Sequence, residues 1–284
     1  MHAERIYPME SLKSIMQKDI CAAIGKRVRL SRILKDGKAA IFAFDHGFEH
    51  GPTDFTEENM NPRKIVGSAV ESNFDAIMLT KGVAEVTHDL WLGRTPLIVK
   101  LTGKTSLKPP EGQLLQYSIG SVDDAVRLGA DGVAATVYWG SPHEEIMAER
   151  FQRIVTRCEE YGLPTMILAY PRGPSIISSY DERIVLYASR ASLEVGADLI
   201  KTHYTGSTES FGRVVRSVPI PVMMSGGGKT ETPKDFLHLV KSVMDAGSAG
   251  VVVGRNVFQS ADFRKVASAV IGIVHNKMAP EDFD

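Results

Sequence analysis

The sequence predicts an α/β fold, a single (β/α)8 TIM barrel with an N-terminal helical extension. Short apolar runs rich in β-branched residues alternate with amphipathic segments at intervals of roughly 30 residues, the size of one strand–helix unit. The barrel requires eight such units. An open doubly wound sheet could use the same units, but no Gly-x-Gly-x-x-Gly motif follows the first strand, which ends at Phe44-Asp-His-Gly47. A single barrel is therefore the better prediction.

The composition is typical of a globular protein with a core. Of 284 residues, 43% are hydrophobic and 24% are charged, and 33 basic against 34 acidic residues give a net charge of −1. This balance argues against nucleic acid or an anionic membrane as a partner. Two cysteines are too few for a disulfide scaffold, and the apolar runs are too short to span a membrane. With no signal-peptide pattern at the N-terminus, we expect a cytoplasmic protein.

The first element is the extension, which we assign to residues 1–30, with the barrel domain over residues 31–284. A short amphipathic helix is expected over Ser11–Ala23, followed by the basic run Lys26–Arg29. Its expected role is a solvated lead-in or a lid over one end of the barrel.

The strands of the barrel follow from the apolar runs. The predicted strands are Ala39–Phe44, Ala76–Thr80, Leu97–Leu101, Val133–Tyr138, Thr165–Ala169, Leu199–Thr202, Val222–Met224 and Val251–Val253.

Helix start and stop signals lie between these runs. Asn61-Pro62 predicts an N-cap with proline in the first turn. A hydroxyl followed three residues later by a carboxylate predicts capping boxes at Ser121/Asp124, Ser141/Glu144 and Thr232/Asp235. Glycine C-caps followed by short turns into the next strand are predicted at Gly129, Gly196 and Gly247.

Functional groups of a barrel lie at the C-terminal ends of its strands and in the loops that follow them. Phosphate commonly binds after the seventh and eighth strands. Ser225–Thr230 and Gly254-Arg255-Asn256 occupy those places, with glycine backbone N–H groups and a guanidinium suited to phosphate oxygens. The two runs together predict a phosphate site.

Lysines end several of the predicted strands. Lys201 could be a structural ammonium paired with Asp45 or Glu49, or a neutral amine that attacks a ketone to form a Schiff base. Lys81 and Lys100 also lie at strand ends, so spacing alone does not select one lysine.

Two further side chains are suited to proton transfer. Tyr170 ends the fifth strand next to the sixth, where it is either a rim aromatic or a phenol that moves a proton. Asp45 either stabilises a turn or accepts a hydrogen bond from a substrate hydroxyl. His46, Glu49 and His50 lie close enough together to suggest a metal, but they lie in a loop interrupted by glycine, and no metal site is predicted.

These residues belong to longer runs that resemble the archaeal-type class I fructose-bisphosphate aldolases, a family that also contains 2-amino-3,7-dideoxy-D-threo-hept-6-ulosonate synthase. The resemblance covers the chain from about Gly25 to His275. The runs that carry it are Phe44–Pro52, Leu101–Thr105, Tyr170–Gly173, Ile200–Gly206, Met224–Thr230 and Val253–Gln259.

The resemblance implies a role for each matched residue. Lys201 matches the Schiff-base lysine, Tyr170 the proton donor and Asp45 the acid/base aspartate. The expected substrate- and phosphate-binding residues are His46, Gly47, Glu49, Pro171, Arg172, Ser225, Gly226, Gly227, Gly254 and Arg255. The resemblance also implies a phosphorylated sugar as substrate, no metal or other cofactor, and a homo-oligomer, often a decamer.

The expected reaction is reversible cleavage of fructose 1,6-bisphosphate to dihydroxyacetone phosphate and glyceraldehyde 3-phosphate. The aldolase pattern has tryptophan two residues before the tyrosine, whereas this chain has Leu168. The alternatives are a Schiff-base transaldolase that makes 2-amino-3,7-dideoxy-D-threo-hept-6-ulosonate, a metal-dependent aldolase, and a phosphate-binding barrel without imine chemistry.

Overall fold

Parallel strands close into a barrel in the structure, a computed structural model that describes residues 9–51, 54, 56–57 and 59–283. The barrel order is β1-β10-β9-β8-β7-β6-β3-β2, and the short strands β4 and β5 pair separately as an antiparallel ribbon. The strands are β1 Ala39–Phe44, β2 Ala76–Thr80, β3 Leu97–Lys100, β4 Thr102–Gly103, β5 Tyr117–Ser118, β6 Gly132–Trp139, β7 Thr165–Pro171, β8 Leu199–Thr202, β9 Val222–Ser225 and β10 Gly250–Val253. The predicted barrel is confirmed, and the predicted barrel strands match to within two residues at each end.

Helices connect successive barrel strands and cover the outside of the barrel. They are α1 Met9–Ile33, α2 His46–Glu49, α3 Pro62–Glu71, α4 Lys81–Val86, α5 His88–Trp91, α6 Val122–Arg127, α7 Glu144–Tyr161, α8 Glu182–Glu194, α9 Thr208–Arg216, α10 Pro233–Asp245, α11 Arg255–Phe258 and α12 Phe263–Val274. Among the described helices, none combines the length and apolar character needed to cross a membrane.

Alternation along the strands divides the core into two layers. Outward-facing side chains such as Phe42, Val99 and Ile167 pack against the helices. Inward-facing side chains such as Ile41, Met78 and Met223 fill the barrel interior. The interior is therefore packed below the C-terminal ends of the strands.

Helix α1 lies against the N-terminal end of the barrel. Its last residue, Ile33, is fully buried and packs with the interior layer. Arg29 donates hydrogen bonds to the carbonyl oxygens of Tyr161 and Gly162 at the end of α7, and Lys26 pairs with Asp198 at 3.0 Å. The helix continues to Ile33, beyond the predicted Ser11–Ala23. Of the two expected roles, these contacts favour a lid over one end of the barrel rather than a solvated lead-in.

The domain division at residue 30 stays a prediction. It falls within α1, and residues 1–8 of the predicted extension lie outside the described residues.

Most of the predicted helix ends are confirmed. Capping boxes occur at Ser121/Asp124 and Thr232/Asp235, and Asn61 caps α3. The predicted box at Ser141 is wrong, because α7 begins at Glu144 and its N-cap is His143. Two competing bonds explain the difference: Ser141 Oγ donates to the carbonyl of Leu114, and Glu144 accepts from the Gly140 N–H at 2.6 Å.

Candidate active site

A cavity of about 200 Å³ opens at the C-terminal ends of the barrel strands. Eleven of the residues singled out from the sequence line it: Asp45, His46, Glu49, Tyr170, Arg172, Lys201, Ser225, Gly226, Gly227, Gly254 and Arg255. They come from β7, β8 and β9, or from the loops and short helices that directly follow β1, β7, β9 and β10. Closure of the barrel is what brings these distant segments of the chain to one place.

Lys201 projects from β8 into this cavity. It pairs in register with Leu168 on β7, so both side chains face the barrel interior. The Lys201 side chain is only 6% exposed, and it forms no hydrogen bond or ion pair with any described residue. Burying an amine without a partner costs free energy, which marks Lys201 as a candidate reactive group.

Asp45 and Glu49, which the structural interpretation of Lys201 paired with that lysine, pair with Lys100 instead. Its Nζ lies 2.5 Å from Asp45 Oδ2 and 2.6 Å from Glu49 Oε1, and it is 2% exposed. Burial opposes the charge on Lys100, but the two carboxylates outweigh it and raise the pKa of Lys100 above its ordinary value. Lys100 is thus a charged structural lysine. The interpretation of Lys201 as the partner of Asp45 or Glu49 is wrong.

The pairing with Lys100 also determines the state of Asp45. Burial favours the neutral acid, but the positive charge of Lys100 and its hydrogen bond hold the pKa of Asp45 well below its ordinary range. Asp45 is therefore a carboxylate that can accept hydrogen bonds at the cavity wall.

A buried polar network supports this pair. The Gln116 side-chain amide donates to Glu49 Oε2 at 3.1 Å and to Tyr138 Oη at 2.6 Å. The guanidinium of Arg172 lies 4.6 Å from the centre of the Tyr138 ring. This network extends from the barrel interior to the wall of the cavity.

Tyr170 lies one inward-facing position above Leu168 on β7. Its hydroxyl donates to Ser225 Oγ at 3.2 Å, and its ring stacks on His203 with centroids 4.7 Å apart. Because Leu168 pairs with Lys201 in the sheet, Tyr170 borders the part of the cavity directly above the lysine.

The glycine loop after β9 and the turn after β10 form one connected cradle. The Asn256 side-chain amide donates to the carbonyl oxygens of Gly226 and Gly228, each at 2.9 Å, and its oxygen accepts from the Thr230 N–H. Arg255 donates to the Gly227 carbonyl at 2.9 Å. Side chains from the second loop thereby hold the backbone of the first, and the guanidinium of Arg255 borders the cavity.

Gly254 allows this close approach. A Cβ at this position would lie 2.3 Å from His46 Cε1 and 2.7 Å from the Ala43 carbonyl oxygen. His46 packs beneath the cradle, and burial lowers its pKa to about 3, so its ring is neutral near pH 7.

The described residues contain no group of three or more His, Cys, Asp or Glu side chains that could hold a metal ion. His46 and His50 have ring centroids 5.7 Å apart, and Glu49 points to Lys100 and Gln116.

Two of the predicted substrate-binding residues lie away from the cavity. Gly47 lines a smaller neighbouring pocket with Phe44 and Phe48, and Pro171 is buried at the end of β7. Among the other lysines at strand ends, Lys81 pairs with Asp124 at 3.0 Å and does not line the cavity.

Several residues of the site were not singled out from the sequence as parts of it. They are Lys100 as the partner of Asp45 and the wall residues Thr136, Tyr138, Tyr180 and His203. Asn256 was part of a predicted run, but its hydrogen bonds to the glycine loop were not predicted. The two-residue period of a strand could have identified Thr136, Tyr138 and His203. Thr136 and Tyr138 lie two residues apart on β6, and His203 lies two residues after Lys201, so each pair shares one face of its strand. No sequence signal marks the bonds of Asn256.

Comparison with known proteins agrees with this geometry. The model of the DeoC/LacD family aldolases matches residues 39–260. A protein named fructose-bisphosphate aldolase class 1 from Thermoproteus tenax is 41% identical over 242 residues, which cover 84% of this chain and 90% of that protein. A protein of the same name from Halobacterium salinarum is 38% identical over 233 residues, 81% of this chain and 87% of that one.

A solved structure is also similar over most of the chain. It is described as an archaeal fructose-1,6-bisphosphate aldolase with the catalytic Lys covalently bound to the carbinolamine intermediate of the substrate. It superimposes with a TM-score of 0.81 at 38% identity, covering 88% of this chain and 99% of that one. The chain therefore belongs to the DeoC/LacD aldolase family.

Proposed function

We propose that this chain is a class I aldolase that reversibly cleaves fructose 1,6-bisphosphate to dihydroxyacetone phosphate and glyceraldehyde 3-phosphate. The observation that carries the proposal is the contrast between the two cavity lysines. Lys100 is held as an ammonium by two carboxylates. Lys201 is buried in the cavity that the cradle borders and has no hydrogen-bond or ion-pair partner among the residues that the structure describes. Fructose-bisphosphate aldolase is also the name of the relatives at 38–41% identity.

The reaction begins when the uncharged Nζ of Lys201 attacks the C2 ketone. The carbinolamine that forms loses water and becomes a protonated imine. This imine draws the electrons of the C3–C4 bond as that bond breaks. The C4 hydroxyl gives its proton to water, and glyceraldehyde 3-phosphate departs, leaving an enamine on Lys201. Tyr170 then donates a proton to C3 of the enamine. Water hydrolyses the resulting imine and releases dihydroxyacetone phosphate.

Asp45 and the cradle orient the substrate. The ionised carboxylate of Asp45 accepts a hydrogen bond from a substrate hydroxyl, a role that fits its lowered pKa better than proton donation. Backbone groups of the glycine loop and the guanidinium of Arg255 bind the C1 phosphate, which holds C2 near Lys201. Such orientation can lower a barrier by about 7 kcal/mol in well-aligned systems.

Borohydride reduction with dihydroxyacetone phosphate tests the imine. The expected result is a covalent adduct that peptide mass spectrometry places on Lys201, and no adduct in a Lys201→Met variant. Cleavage activity is expected to survive EDTA, which would inactivate a metal-dependent aldolase. If the wild-type protein forms no adduct, or forms it on another lysine, the proposal is wrong.

A transaldolase is a second candidate, and Leu168 is the residue that favours it. The tryptophan of the aldolase pattern is absent here, and Leu168 lines the cavity beside Lys201. Both candidates use the same lysine and tyrosine and differ in the acceptor. Product identification with fructose 1,6-bisphosphate, and separately with candidate donors and acceptors, distinguishes them.

We also propose a homo-oligomer located in the cytoplasm, with a decamer as the expected size. The exposed side chains Ile20, Ile24 and Val28 share the face of α1 opposite Arg29, which supports an interface there. Two unpaired cysteines agree with a reducing compartment. Light scattering of the purified protein tests the assembly, and a monomeric mass would contradict it.

A further inference from the structure

A cluster of three aromatic rings forms one wall of the cavity above Lys201. His203 stacks on Tyr170 with ring centroids 4.7 Å apart and an interplanar angle of 26°, and it contacts Tyr180 at 4.9 Å and 44°. All three rings line the cavity. Tyr180 comes from the loop between β7 and α8 and is 54% exposed, so the cluster extends from the mouth of the cavity to the phenol of Tyr170.

The contacts of His203 are made by its ring rather than by its Nδ1. That nitrogen is buried and has no hydrogen-bond partner among the described residues. It is closed to solvent as well, so a molecule in the cavity would not reach it. The imidazole is therefore held in the wall by its ring contacts with Tyr170 and Tyr180. The contact with Tyr170 in turn restricts the orientation of the Tyr170 ring.

The charge of the imidazole agrees with such a role. Burial, with smaller effects from Arg172 and Lys201, lowers the pKa of His203 to about 4. The ring is thus neutral near pH 7 and adds no positive charge beside the lysine. A neutral ring can pack flat against a phenol without opposing a cationic intermediate on Lys201.

Tyr170 needs this support because its other restraint is slight. Its hydroxyl makes one hydrogen bond within the described residues, the 3.2 Å bond to Ser225 Oγ. Proton transfer to carbon requires the phenol to be held at a defined angle to the acceptor atom. Stacking restricts the plane of the ring, which a single hydrogen bond at the hydroxyl does not.

We propose that His203 is a positioning residue that holds the Tyr170 phenol in its proton-donating orientation by ring stacking. The inference rests on the proposed Schiff-base function, since it concerns the step in which Tyr170 moves a proton at C3. Formation of the imine on Lys201 does not require that step, so the two can be measured separately.

The experiment compares His203→Ala, which removes the ring, with His203→Phe, which keeps a ring and removes both nitrogens. Two quantities are measured with dihydroxyacetone phosphate: borohydride trapping on Lys201, and exchange of the C3 hydrogen with deuterium oxide followed by NMR. Exchange reports proton transfer, and trapping reports imine formation and an intact site.

We expect His203→Ala to slow exchange at least tenfold while trapping stays within threefold of wild type. His203→Phe is expected to keep both within threefold. The inference is overturned if His203→Phe slows exchange as much as His203→Ala, because the nitrogens would then matter more than the stack. It is also overturned if His203→Ala leaves exchange unchanged, or if both variants lose trapping and exchange together. Failure of the wild-type protein to trap would instead contradict the proposed function.

Discussion

Two lysines reach the same cavity, and their neighbours give them opposite properties. Lys100 on β3 faces Asp45 and Glu49, which follow β1, and both carboxylates lie within 2.6 Å of its ammonium. Lys201 on β8 lies in register with the apolar Leu168. A buried charge is tolerated when it is paired and hydrogen-bonded, and of these two lysines only Lys100 has such partners among the described residues.

Replacement of Lys100 by methionine is expected to destabilise the protein strongly. The change leaves Asp45 and Glu49 buried without their cation, a situation that costs about 3–5 kcal/mol in other proteins. Urea unfolding at pH 7 measures the loss.

Lys81→Met is the matched control for Lys100→Met. It removes the ion pair between Lys81 and Asp124. Because the Lys81 side chain is 37% exposed, little change in unfolding free energy is expected. Equal losses in the two variants would show that the Lys100 pair is not the buried structural element described here.

At the scale of elements, the junction between β10 and α11 is the tightest part of the candidate phosphate cradle. Gly254 caps α11 and leaves no room for a Cβ beside His46 and the Ala43 carbonyl. Asn256, in the first turn of that helix, holds the glycine loop after β9 through its carbonyl oxygens. The two loops are therefore expected to respond together to a change at either one.

Gly254→Ala is expected to lower the unfolding free energy by about 1–3 kcal/mol, the usual cost of adding a methyl group to a packed site. It should also raise KM for phosphorylated substrates, because the ring of His46 or the cradle must shift. Thermal unfolding and steady-state kinetics check the two effects.

Gly228→Ala serves as the control at this junction. A Cβ at Gly228 would meet no atom within 4 Å, so its stability should change by no more than about 0.5 kcal/mol. A Gly254→Ala variant as stable as this control would contradict the steric argument.

For the whole molecule, histidines that are wholly or partly buried and neutral make stability depend on pH. Burial lowers the pKa of His46 to about 3 and the pKa values of His50 and His203 to about 4, from an ordinary 6.5. Below pH 6.5 these groups bind protons in the unfolded chain but not in the folded one. The unfolded state then binds more protons, so stability falls as the pH is lowered from about 6.5 toward 4.

The expected slope in that range is at most about 1.4 kcal/mol per pH unit for each histidine, and it should vanish above pH 7. Urea unfolding at intervals from pH 4.5 to 8 measures it. His203→Phe should reduce the slope by one histidine's share, whereas His88→Asn, at an exposed position, should leave it unchanged. A slope that is the same in both variants would contradict the assignment of His203 as buried and neutral.

The end of the barrel opposite the cavity is closed by α1, and here the sequence was less informative. The pattern predicted a helix over Ser11–Ala23, yet the helix continues to Ile33. Its last turn is stabilised by contacts distant in sequence, such as Arg32 with Asp131 at 3.0 Å and Ile33 with the interior layer. Local periodicity contains no information about partners that lie a hundred residues away.

Local features of the chain were enough to predict the barrel and its strands. Strand limits follow from runs of β-branched residues, and caps such as Thr232/Asp235 from hydroxyl–carboxylate spacing, because these interactions span only a few residues. The cap predicted at Ser141 failed where a distant carbonyl, that of Leu114, took the hydroxyl instead.

Tertiary structure alone decided which of these lysines is paired with buried carboxylates. Lys81, Lys100 and Lys201 look alike in sequence, since each ends an apolar strand. Closure of the barrel places Asp45 and Glu49 against Lys100 and brings His203 onto Tyr170, and within the described part of the chain it gives Lys201 no hydrogen-bond or ion-pair partner. The protonation state of a lysine depends on the charges within a few ångströms of it, and those neighbours are set by how the strands close and not by the order of residues along the chain.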